Sequence, residues 1–579
     1  ENEISLNDDG RIRIRGPQVM AGYLGEMPRN QDDWFITSDL GKIDPNQRLT
    51  VTGRADDMLI SGGRNVHPSE VESCLAACPG IHDVAVTGLP DLVWGELIVA
   101  LVVASSTSHE ISQWCNSRLP SAAWPRRIIH LSSLPRNRIR AHLADPGLLG
   151  KLHKLASDAP GSALVSHTED LGPGCADWLG HLPTNAPYWY RAQPANGEYR
   201  LAIGHALHVS SDGPQRFAAL DNAYAGLMHD WHRNGQALAF CGFSFAAQVS
   251  NNDLPAALLA VPSILLESIN GRCQITLSST VARLGEALDH WKQLLAQPAP
   301  NQANQFLPEA DHTLAERAWV ARVNSARRDI RQGKIEKVVL ARSRKLLANR
   351  PVSVPQLLET LCEQQPDACI YAFSQNGSSF LGATPERLIR LDGRHIESDA
   401  LAGTAWPGSG ELAGSKNQHE QSLVVQAIMQ ALAPFCISPP CTRPVEVRTA
   451  GQLTHLRSRI SAQVQSGITL FDLLRVLHPT PAVGGYPTNA ALAWLAEHGE
   501  QRSGWYSGGV GILDGKGNGE FSVALRSALI HEKEIELHAG AGIVADSDPW
   551  QELAETNAKL GTLLDALHQT KNAQQQQKG

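Results

Sequence analysis

The stretch GAGIVADSDPWQELAETNAKL, residues Gly540–Leu560, joins a short apolar run to a segment with acidic residues at helical spacing. Asp548 and Pro549 stand where a helix would begin, because aspartate is a favoured N-cap and proline is favoured at the first helical position. Gln551 follows at the third helical position, as in a capping box. The sequence therefore predicts a helix that starts at this point.

The predicted helix carries Glu552 and Glu555 three residues apart, and Lys559 four residues later, so the three side chains share one face. On a solvated surface this pattern is a weak ion pair, which is the simpler interpretation. Gly540 and Gly542 precede the helix, however, and glycine lets a ligand approach the backbone closely. Paired carboxylates beside such a turn are suited to Mg²⁺, which binds a few carboxylates together with water and substrate oxygens.

The composition is that of a globular protein. The chain has 579 residues, enough for roughly three or four domain-sized units, with 42% hydrophobic and 19% charged residues. A net charge of −8 without a basic block argues against a nucleic-acid partner, and the longest apolar run, residues 97–104, is too short to span a membrane. Ten scattered cysteines predict reduced thiols in a cytoplasmic protein. The chain begins with Glu1, in the middle of a motif, so we expect a fragment.

Four segments follow from the pattern along the chain. Residues 1–145 alternate strand-like runs such as LIVALVVA with helical runs such as HPSEVESCLAAC. Residues 146–184 are rich in Gly, Pro, Ser and Asp and predict a linker. Residues 185–568 alternate strands and helices again, and the polar residues 569–579 predict a disordered tail. We therefore expect an α+β chain with two folded parts.

The first part contains the run WFITSDLGKIDPNQRLTVTGRADDMLISGGRNVHPSEVE. This run resembles the closing part of acyl- and aryl-CoA synthetases of the adenylate-forming superfamily, and the similarity covers about residues 10–140. The motif SGGRNVHPSEVE within this run is most similar to ligases that form CoA thioesters, such as o-succinylbenzoate–CoA ligase. The resemblance implies that Asp39 holds the nucleotide ribose, that Arg54 contacts ribose or phosphate, and that Asp56 is the hinge between two catalytic orientations.

Two departures from that pattern concern the chemistry of the first part. Arg64 stands where the family usually has glutamate, and LPRNRIRAHL places Arg140 and Ala141 where glycine and the family's catalytic lysine belong. An arginine one position away does not replace a point-charge lysine. The large amino-terminal domain with its phosphate loop is also missing. We therefore expect a small folded domain that is an inactive remnant of a ligase.

The second part carries a longer series of motifs in one order: KVVLAR, LGATPERL, LAGTAWPG, KNQHEQSLV, LTHLRS, LHPTPAVGGYP, WYSGGVGI, EFSVALRSA and the opening stretch. Residues from about 185 to 568 thereby resemble the chorismate-utilising enzymes, the family of isochorismate, salicylate and anthranilate synthases. The resemblance implies a large two-lobed α+β chorismate-binding domain with mostly antiparallel sheets.

The same resemblance implies an Mg²⁺ site. Glu420 and Glu555 match the family's two direct ligands, and Glu552 matches a glutamate that acts through water. Gln421 replaces the usual histidine, and Asn417 stands where an acidic residue is common. The surroundings of the metal are therefore less negative than in typical members, and we expect weaker metal binding. Taken alone, Glu420 is a glutamate that suits the positive end of a helix.

The substrate implied by the resemblance, chorismate, is a small dicarboxylate that needs cations and backbone donors. The positions that match the family's substrate-binding groups are Gly403, Thr404, Tyr506, Arg526, Gly540, Gly542 and Lys559. For Arg526 a surface arginine at the end of a strand is the alternative, although the preceding run FSVAL is typical of a buried strand.

Addition of water at one ring carbon with loss of hydroxyl from another requires a base and an acid. Lys337 at the start of KVVLAR matches the family's base, and a desolvated position would favour its neutral amine. Glu386 in GATPERL matches the acid and should have a raised pKa. His455 in LTHLRS matches a histidine near the leaving group. Taken singly, a strand-edge lysine, a turn glutamate and a core histidine are the simpler interpretations.

Ala482 in PTPAVGG bears on the subclass. Relatives that use ammonia or release pyruvate commonly have threonine there, and a methyl group cannot hydrogen-bond a nucleophile. No amidotransferase segment is visible, so we expect water as the nucleophile and no amidotransferase subunit. The sequence thus predicts a cytoplasmic, Mg²⁺-dependent isochorismate synthase of menaquinone synthesis. The alternatives are a salicylate synthase, a siderophore-pathway isochorismate synthase, and an inactive scaffold protein.

Overall fold

The computed structural model divides the chain into two compact units, Glu1–His142 and Leu143–Lys578. It describes residues 3–7, 11–16, 19, 34–43, 49–54, 59–91, 94–131, 139, 142–143, 145, 147–173, 178–249, 254–295, 313–408, 412 and 414–575. Within these residues no helix is both long and apolar enough to cross a membrane.

The described residues of the first unit include two small sheets and two α-helices. Its described strands are β1 (Glu3–Leu6), β2 (Arg11–Arg15), β3 (Phe35–Ile43), β4 (Leu49–Arg54), β5 (Leu59–Ser61), β6 (Arg64–Val66), β7 (Ile81–Asp91), β8 (Gly95–Ala104) and β9 (Arg127–His130). Its helices are α1 (Pro68–Ala76) and α2 (Ser108–Asn116). One sheet has the order β1-β2-β3-β4, and the other has the order β6-β5-β8-β7 with β9 parallel to β8.

The local chemistry of the first unit follows its sequence. Helix α1 begins at Pro68, as the run HPSEVESCLAAC predicts, with Glu70 in its first turn. Helix α2 begins with a capping box in which Thr107 and Glu110 bind each other's backbone. The apolar run LIVALVVA forms most of β8. Alternate residues of this run are buried in one core with residues of α1 and α2, namely Ile98, Ala100 and Val102.

The second unit has nine helices within its described residues. They are α3 (Leu148–Leu155), α4 (Arg216–His229), α5 (Leu284–Leu295), α6 (Thr313–Arg331), α7 (Val354–Gln364), α8 (Ser415–Leu432), α9 (Leu470–Leu477), α10 (Thr488–Glu497) and α11 (Pro549–Gln575).

The described strands of the second unit form two large sheets. They are β10 (Leu164–Pro173), β11 (Tyr188–Gln193), β12 (Glu198–Ile203), β13 (Leu207–Ser211), β14 (Trp231–Arg233), β15 (Leu238–Phe243), β16 (Ala257–Val261), β17 (Ile264–Ile269), β18 (Arg272–Thr280), β19 (Lys337–Leu347), β20 (Cys369–Gln375), β21 (Ser378–Thr384), β22 (Arg387–Asp392), β23 (His395–Ala405), β24 (Cys441–Thr442), β25 (Glu446–Ala450), β26 (Leu453–Gln463), β27 (Gly485–Tyr486), β28 (Gly509–Asp514), β29 (Gly519–Val523), β30 (Ser527–His531) and β31 (Glu534–Ile543).

Twelve strands form the first sheet in the order β14-β10-β18-β17-β12-β11-β20-β21-β30-β31-β19-β27. Ten strands form the second, in the order β13-β16-β15-β28-β29-β22-β23-β26-β24, with β25 also paired to β26. Among the described strands of both sheets, the pair β10 and β14 is parallel and the other pairs are antiparallel. The mixed α+β class with mostly antiparallel sheets is therefore confirmed.

The two large sheets meet across an aromatic core. Trp189 and Phe373 belong to the twelve-stranded sheet, and Phe240 belongs to the ten-stranded sheet. The ring centroid of Trp189 lies 4.3 Å from that of Phe373 and 5.8 Å from that of Phe240. Burial of such large rings is a main source of stability for the unit, since each removes extensive apolar area from water.

The prediction that residues 146–184 form a linker is wrong. Helix α3 and strand β10 lie within it, and β10 pairs with both β14 and β18 inside the twelve-stranded sheet. The glycines and prolines of this segment separate short helices and strands. Those elements are stabilised by pairing with remote strands, which the composition of the segment does not reveal. At the other end, α11 continues to Gln575, so the predicted tail, 569–579, begins within a helix.

Candidate functional site

A cavity of about 80 Å³ opens between the two sheets of the second unit and the helices α8 and α11. Nearly all residues predicted for catalysis, substrate or metal line it. These are Lys337, Glu386, Gly403, Thr404, Glu420, His455, Ala482, Tyr506, Arg526, Gly540, Gly542, Glu555 and Lys559. Glu552 is not among the lining residues.

Two of the lining residues occupy connections between the sheets. Glu386 lies between β21 of the twelve-stranded sheet and β22 of the ten-stranded sheet. Arg526 lies between β29 and β30, where the chain returns in the opposite direction, and it adopts a left-handed conformation with φ of 49°. A non-glycine residue with positive φ is held there by its surroundings. The sheet crossings therefore aim both side chains into the space between the sheets.

Glycine is required where β31 passes the cavity. A β-carbon on Gly542 would come within 2.5 Å of Glu420 Oε1 and 2.8 Å of Lys337 Cε. Real side chains do not tolerate such contacts, so the absence of a side chain at Gly542 makes room for the two charged groups. The glycine recognised in the sequence at position 542 thus makes room for neighbouring side chains of the protein.

Lys337 and Glu420 form a buried ion pair, with 2.7 Å between Lys337 Nζ and Glu420 Oε1. Lys337 opens β19 and its side chain is 1% exposed, while Glu420 lies one turn into α8. Burial alone would raise the pKa of Glu420, but the nearby cations of Lys337, Lys416 and Lys559 outweigh it and lower that pKa. Glu420 is therefore an ionised carboxylate.

Helix α11 begins as predicted, because Asp548 Oδ1 accepts a hydrogen bond of 2.9 Å from the backbone of Gln551. Glu555 then pairs with Lys559, with 2.6 Å between Oε1 and Nζ, and Lys559 Nζ also donates to the carbonyl of Gly540 at 2.9 Å. The predicted pair at i and i+4 is present. It faces the cavity rather than bulk solvent.

Glu552 turns towards α8 instead. Its Oε1 lies 2.8 Å from Nζ of Lys416, and its side chain is 2% exposed. Burial and the neighbouring Glu555 raise the pKa of Glu552 to about 7, although Lys416 opposes the shift. Each of the three carboxylates predicted to serve the metal therefore has its own lysine partner.

The described part of the chain holds no preformed cluster of three or more His, Cys, Asp or Glu residues arranged around a metal position. Glu420 and Glu555 nevertheless line the same cavity, from helices on two sides. Mg²⁺ prefers carboxylate oxygens and binds through one or two of them, completing its shell with water and substrate. The chemistry of this donor set fits that ion.

Glu386 is the buried acid of the cavity. Its side-chain atom Oε1 has no hydrogen-bond partner among the described residues. Burial and the nearby Asp399 raise the pKa of Glu386 to about 8, against the opposing effect of Lys337 and Lys559. The raised pKa expected from the sequence is confirmed, and the group can carry a proton at neutral pH.

His455 on β26 connects two predicted substrate-binding groups. Its Nε2 lies 3.0 Å from a guanidinium nitrogen of Arg526 and its Nδ1 lies 3.2 Å from Thr404 Oγ1. Arginine can only donate, so Nε2 accepts and Nδ1 carries the hydrogen that is donated to Thr404. Burial and the charges of Arg526 and Lys559 hold the pKa of His455 well below its usual range. The imidazole is therefore neutral.

Two side chains of this site were missed in the sequence. Lys416 lies four residues before Glu420, so helical spacing could have placed it beside the acidic group. His538 lies two residues before Gly540, so the two-residue period of a strand could have placed it on the cavity face of β31. Their partners, Glu552 and Tyr506, are remote in sequence, which explains why local motifs did not reveal the pairs.

The predicted nucleotide-binding residues belong to the first unit. Asp39 on β3 and Arg54 on β4 are directly paired across the antiparallel strands. Asp56 lies outside the described residues. Pairing of the first two positions brings their backbones together, and the roles that the resemblance implies for all three stay predictions.

Comparison with known proteins separates the same two parts. The family described as chorismate binding enzyme matches residues 153–568, and the AMP-binding enzyme C-terminal domain matches residues 70–140. The salicylate biosynthesis isochorismate synthase of Pseudomonas aeruginosa is 36% identical over 409 residues, which are 66% of this chain and 84% of that protein. The isochorismate synthase MenF of Bacillus subtilis is 36% identical over 282 residues, or 47% of this chain and 59% of that protein.

The solved structure of MenF, the menaquinone-specific isochorismate synthase from Escherichia coli, is similar with a TM-score of 0.63 at 24% identity. The match covers 74% of this chain and 100% of that chain, which shows a shared fold. The family match spans most of the second unit and more than half of the whole sequence. The chain therefore belongs to the chorismate binding enzyme family, as an enzyme of the isochorismate synthase type.

Proposed function

We propose that the protein converts chorismate to isochorismate by adding water at one ring carbon and releasing hydroxyl from another. One observation carries the proposal: the amine of Lys337 and the buried acid Glu386 line a single small cavity together with the cations Arg526 and Lys559. An acid, a base and two anion-binding groups around one cavity are what this reaction of a dicarboxylate requires.

Lys337 is the proposed base. In the ion pair with Glu420 this residue is an ammonium, so it acts as a base only after it has released that proton; the neutral amine then takes a proton from water as the water oxygen bonds to the ring carbon. The buried position at the start of β19 keeps the amine in a fixed place and limits access of bulk water. The carboxylate of Glu420 lies 2.7 Å from Nζ of Lys337. It therefore orients the lysine side chain and stabilises the positive charge that forms when the amine takes up a proton.

Glu386 is the proposed acid. A carboxyl group with a pKa raised to about 8 is protonated at neutral pH and can give its proton to the departing hydroxyl. The departing group leaves as water, while the other product keeps the enolpyruvyl group. Ala482, which also lines the cavity, has no hydroxyl that could assist elimination of pyruvate. This supports isochorismate as the end product.

The carboxylates of chorismate need positive charge and hydrogen-bond donors. Arg526, oriented by His455, and Tyr506 are proposed to bind one of them, and Lys559 faces the other. Glu420 and Glu555 are proposed to hold Mg²⁺ directly, with Glu552 acting through water. When bound there, the ion supplies positive charge for the ring carboxylate of the substrate.

Menaquinone synthesis is the proposed pathway. The match of residues 70–140 to the carboxyl-terminal domain of AMP-binding enzymes supports it, because the run SGGRNVHPSEVE, which leads into that part, resembles o-succinylbenzoate–CoA ligases. The ligase-like unit is proposed to be inactive, since Arg140 and Ala141 replace glycine and lysine. The second candidate is supply of isochorismate for salicylate, favoured by the 84% coverage of the Pseudomonas relative.

Product identification tests the proposal. Chorismate is incubated with the protein, with and without Mg²⁺, and the products are separated by chromatography. We expect isochorismate in the presence of Mg²⁺ and little product after chelation. Fluorescent salicylate with release of pyruvate as the main outcome would contradict the proposal and favour a salicylate synthase.

The ligase-like unit has a separate test. An ATP–pyrophosphate exchange assay with o-succinylbenzoate should give no signal above background. Measurable exchange would contradict the proposed inactivity of this unit without affecting the assignment of the second unit.

A further inference from the structure

One buried histidine of the cavity has no part in the mechanism above. His538 lies two residues before Gly540 and four before Gly542 on β31, so the three positions share the face that lines the cavity. Its side chain is 3% exposed. The two glycines make room on this face, and His538 is the bulky residue next to them.

The main contact of His538 is with Tyr506. The two rings are stacked, with centroids 5.1 Å apart and planes 16° apart. A β-carbon on Gly540 would lie 2.8 Å from the hydroxyl oxygen of Tyr506, so that hydroxyl lies directly over Gly540. The side chain of Tyr506 thus rests on two neighbouring positions of the same strand face, with its ring on His538 and its hydroxyl above Gly540.

Hydrogen bonding does not explain the presence of a histidine here. Neither ring nitrogen of His538 has a hydrogen-bond partner of good geometry within the described part of the chain; the backbone of Ser527 and the carboxylate of Glu536, 3.9 Å from Nε2, are its polar neighbours. Burial lowers the pKa of His538 to about 4 in spite of Glu536, so the ring is neutral at neutral pH. The closest-fitting contact of this neutral ring is the stack on Tyr506, in which its flat shape is used.

The backbone around Tyr506 is fixed independently of His538. Trp505 is fully buried and stacks on Trp189, with ring centroids 5.4 Å apart. Ser507 adopts a left-handed conformation, and its backbone nitrogen donates to the carbonyl of Ala524 at 2.9 Å. These contacts hold the main chain of residues 505–507 in place. They do not orient the ring of Tyr506, which depends on the residues that contact that ring.

We propose that His538 is a positioning residue, which holds the ring of Tyr506 so that its hydroxyl meets a carboxylate of the substrate. The inference rests on the proposed function, because it takes Tyr506 as a substrate-binding group. It extends that function by naming a residue on β31 that sets how well the substrate is bound while leaving the proton transfers to other groups.

The test compares His538→Leu with His538→Phe. Leucine fills similar space without a flat ring, so we expect KM for chorismate to rise about five- to ten-fold while kcat changes less than three-fold. Phenylalanine keeps a stacking ring and should restore KM to within about two-fold. If glutamine rescues KM and phenylalanine does not, a ring nitrogen binds the substrate directly, and the positioning role is wrong.

A double-mutant cycle with Tyr506→Phe makes the test specific. If His538 acts through the hydroxyl of Tyr506, the leucine variant raises KM little further in the Tyr506→Phe background. Additive increases of KM would contradict the proposal. A matched control is His167→Leu on β10, a buried histidine away from the cavity, which should leave KM unchanged.

A binding measurement keeps this test independent of the reaction. The rise in melting temperature that saturating chorismate gives each variant reports binding whichever product forms. We expect a smaller rise for His538→Leu than for the wild type and His538→Phe, with similar melting temperatures of the free proteins. A wild type that chorismate stabilises but does not convert would overturn the proposed function alone. A lower melting temperature of free His538→Leu with an unchanged chorismate effect would overturn the positioning role alone.

Discussion

Two carboxyl groups of the same cavity, those of Glu386 and Glu420, differ in what surrounds them. Glu386 is buried without a partner for Oε1, and its pKa is raised to about 8. Glu420 lies 2.7 Å from the ammonium of Lys337 and within the influence of two further lysines, and its pKa is lowered. Burial favours the neutral form of both carboxyl groups, but in Glu420 the close lysines outweigh burial and favour the ionised form. The same side chain can therefore be an acid on one side of a substrate and an anionic ligand on the other.

Among the substitutions considered, removal of Lys337 should change the activity and the stability of the protein most. Lys337→Ala deletes the proposed base and leaves Glu420 buried without its closest cation. We expect kcat to fall by about 10²–10⁴ and the free energy of unfolding to fall by about 3 kcal/mol. Isochorismate formation and denaturant unfolding measure the two effects.

The double variant Lys337→Ala/Glu420→Gln separates stability from catalysis. Loss of the carboxylate charge should restore most of the stability and none of the activity. A Lys337→Ala variant that keeps the wild-type rate would contradict the assignment of Lys337 as the base.

Substitution of Glu386, the proposed acid, should lower activity without lowering stability. Glu386→Gln keeps the size of the side chain but cannot give up a carboxylic proton, so we expect kcat to fall by about 10²–10⁴. The melting temperature should stay equal or rise, because no ion pair is lost. Glu397→Gln on β23 is a control outside the cavity. A variant of Glu386 with more than a tenth of the wild-type kcat would show that another group is the acid.

Metal binding should distinguish the two carboxylates. Glu420→Gln removes a proposed ligand, and we expect the dissociation constant for Mg²⁺ to rise at least about ten-fold in calorimetric titration without substrate. Glu386→Gln should leave it close to the wild-type value. Equal effects of both substitutions would mean that the ion is not held where the sequence predicts.

The smallest expected effect is a pH dependence. The pKa of Glu386 is raised from 4.5 to about 8, so the acid is present below that value and is lost as the pH rises through it. We expect kcat/KM to fall about ten-fold per pH unit above pH 8 from this group. Because the folded protein keeps a proton that the unfolded chain releases, the free energy of unfolding should also decline between pH 4.5 and 8. Glu386→Gln should remove the part of this decline that Glu386 causes, while Glu552, whose pKa is raised to about 7, keeps its own part.

The sequence predicted the site better than the boundaries of the fold. Capping at Asp548 and the spacing of Glu555 and Lys559 are local properties, and the structure shows both. Motif resemblance also identified Lys337 and His455 on two strands and Glu386 between two others, and all three line one cavity. The predicted linker failed because β10 depends on pairing with β18, more than 100 residues later in the chain.

Contacts between remote residues explain what was missed within the site. Glu552 was predicted to share a face with Glu555, but a lysine on α8 draws it towards the other helix. His538 stands in an apolar strand and was not distinguished from a core residue. Its stack on Tyr506 joins residues from different elements, and no spacing within either motif encodes such a contact.

The position of α11 has a consequence for biosynthesis. This helix supplies Glu555 and Lys559 and packs on β31, α6 and α7, yet it follows every other element of the cavity along the chain. During synthesis, Lys337, Glu386 and His455 therefore leave the ribosome well before the helix that completes the cavity. A nascent or truncated polypeptide that stops before Pro549 would be devoid of catalytic turnover, so activity itself reports that translation has passed this helix.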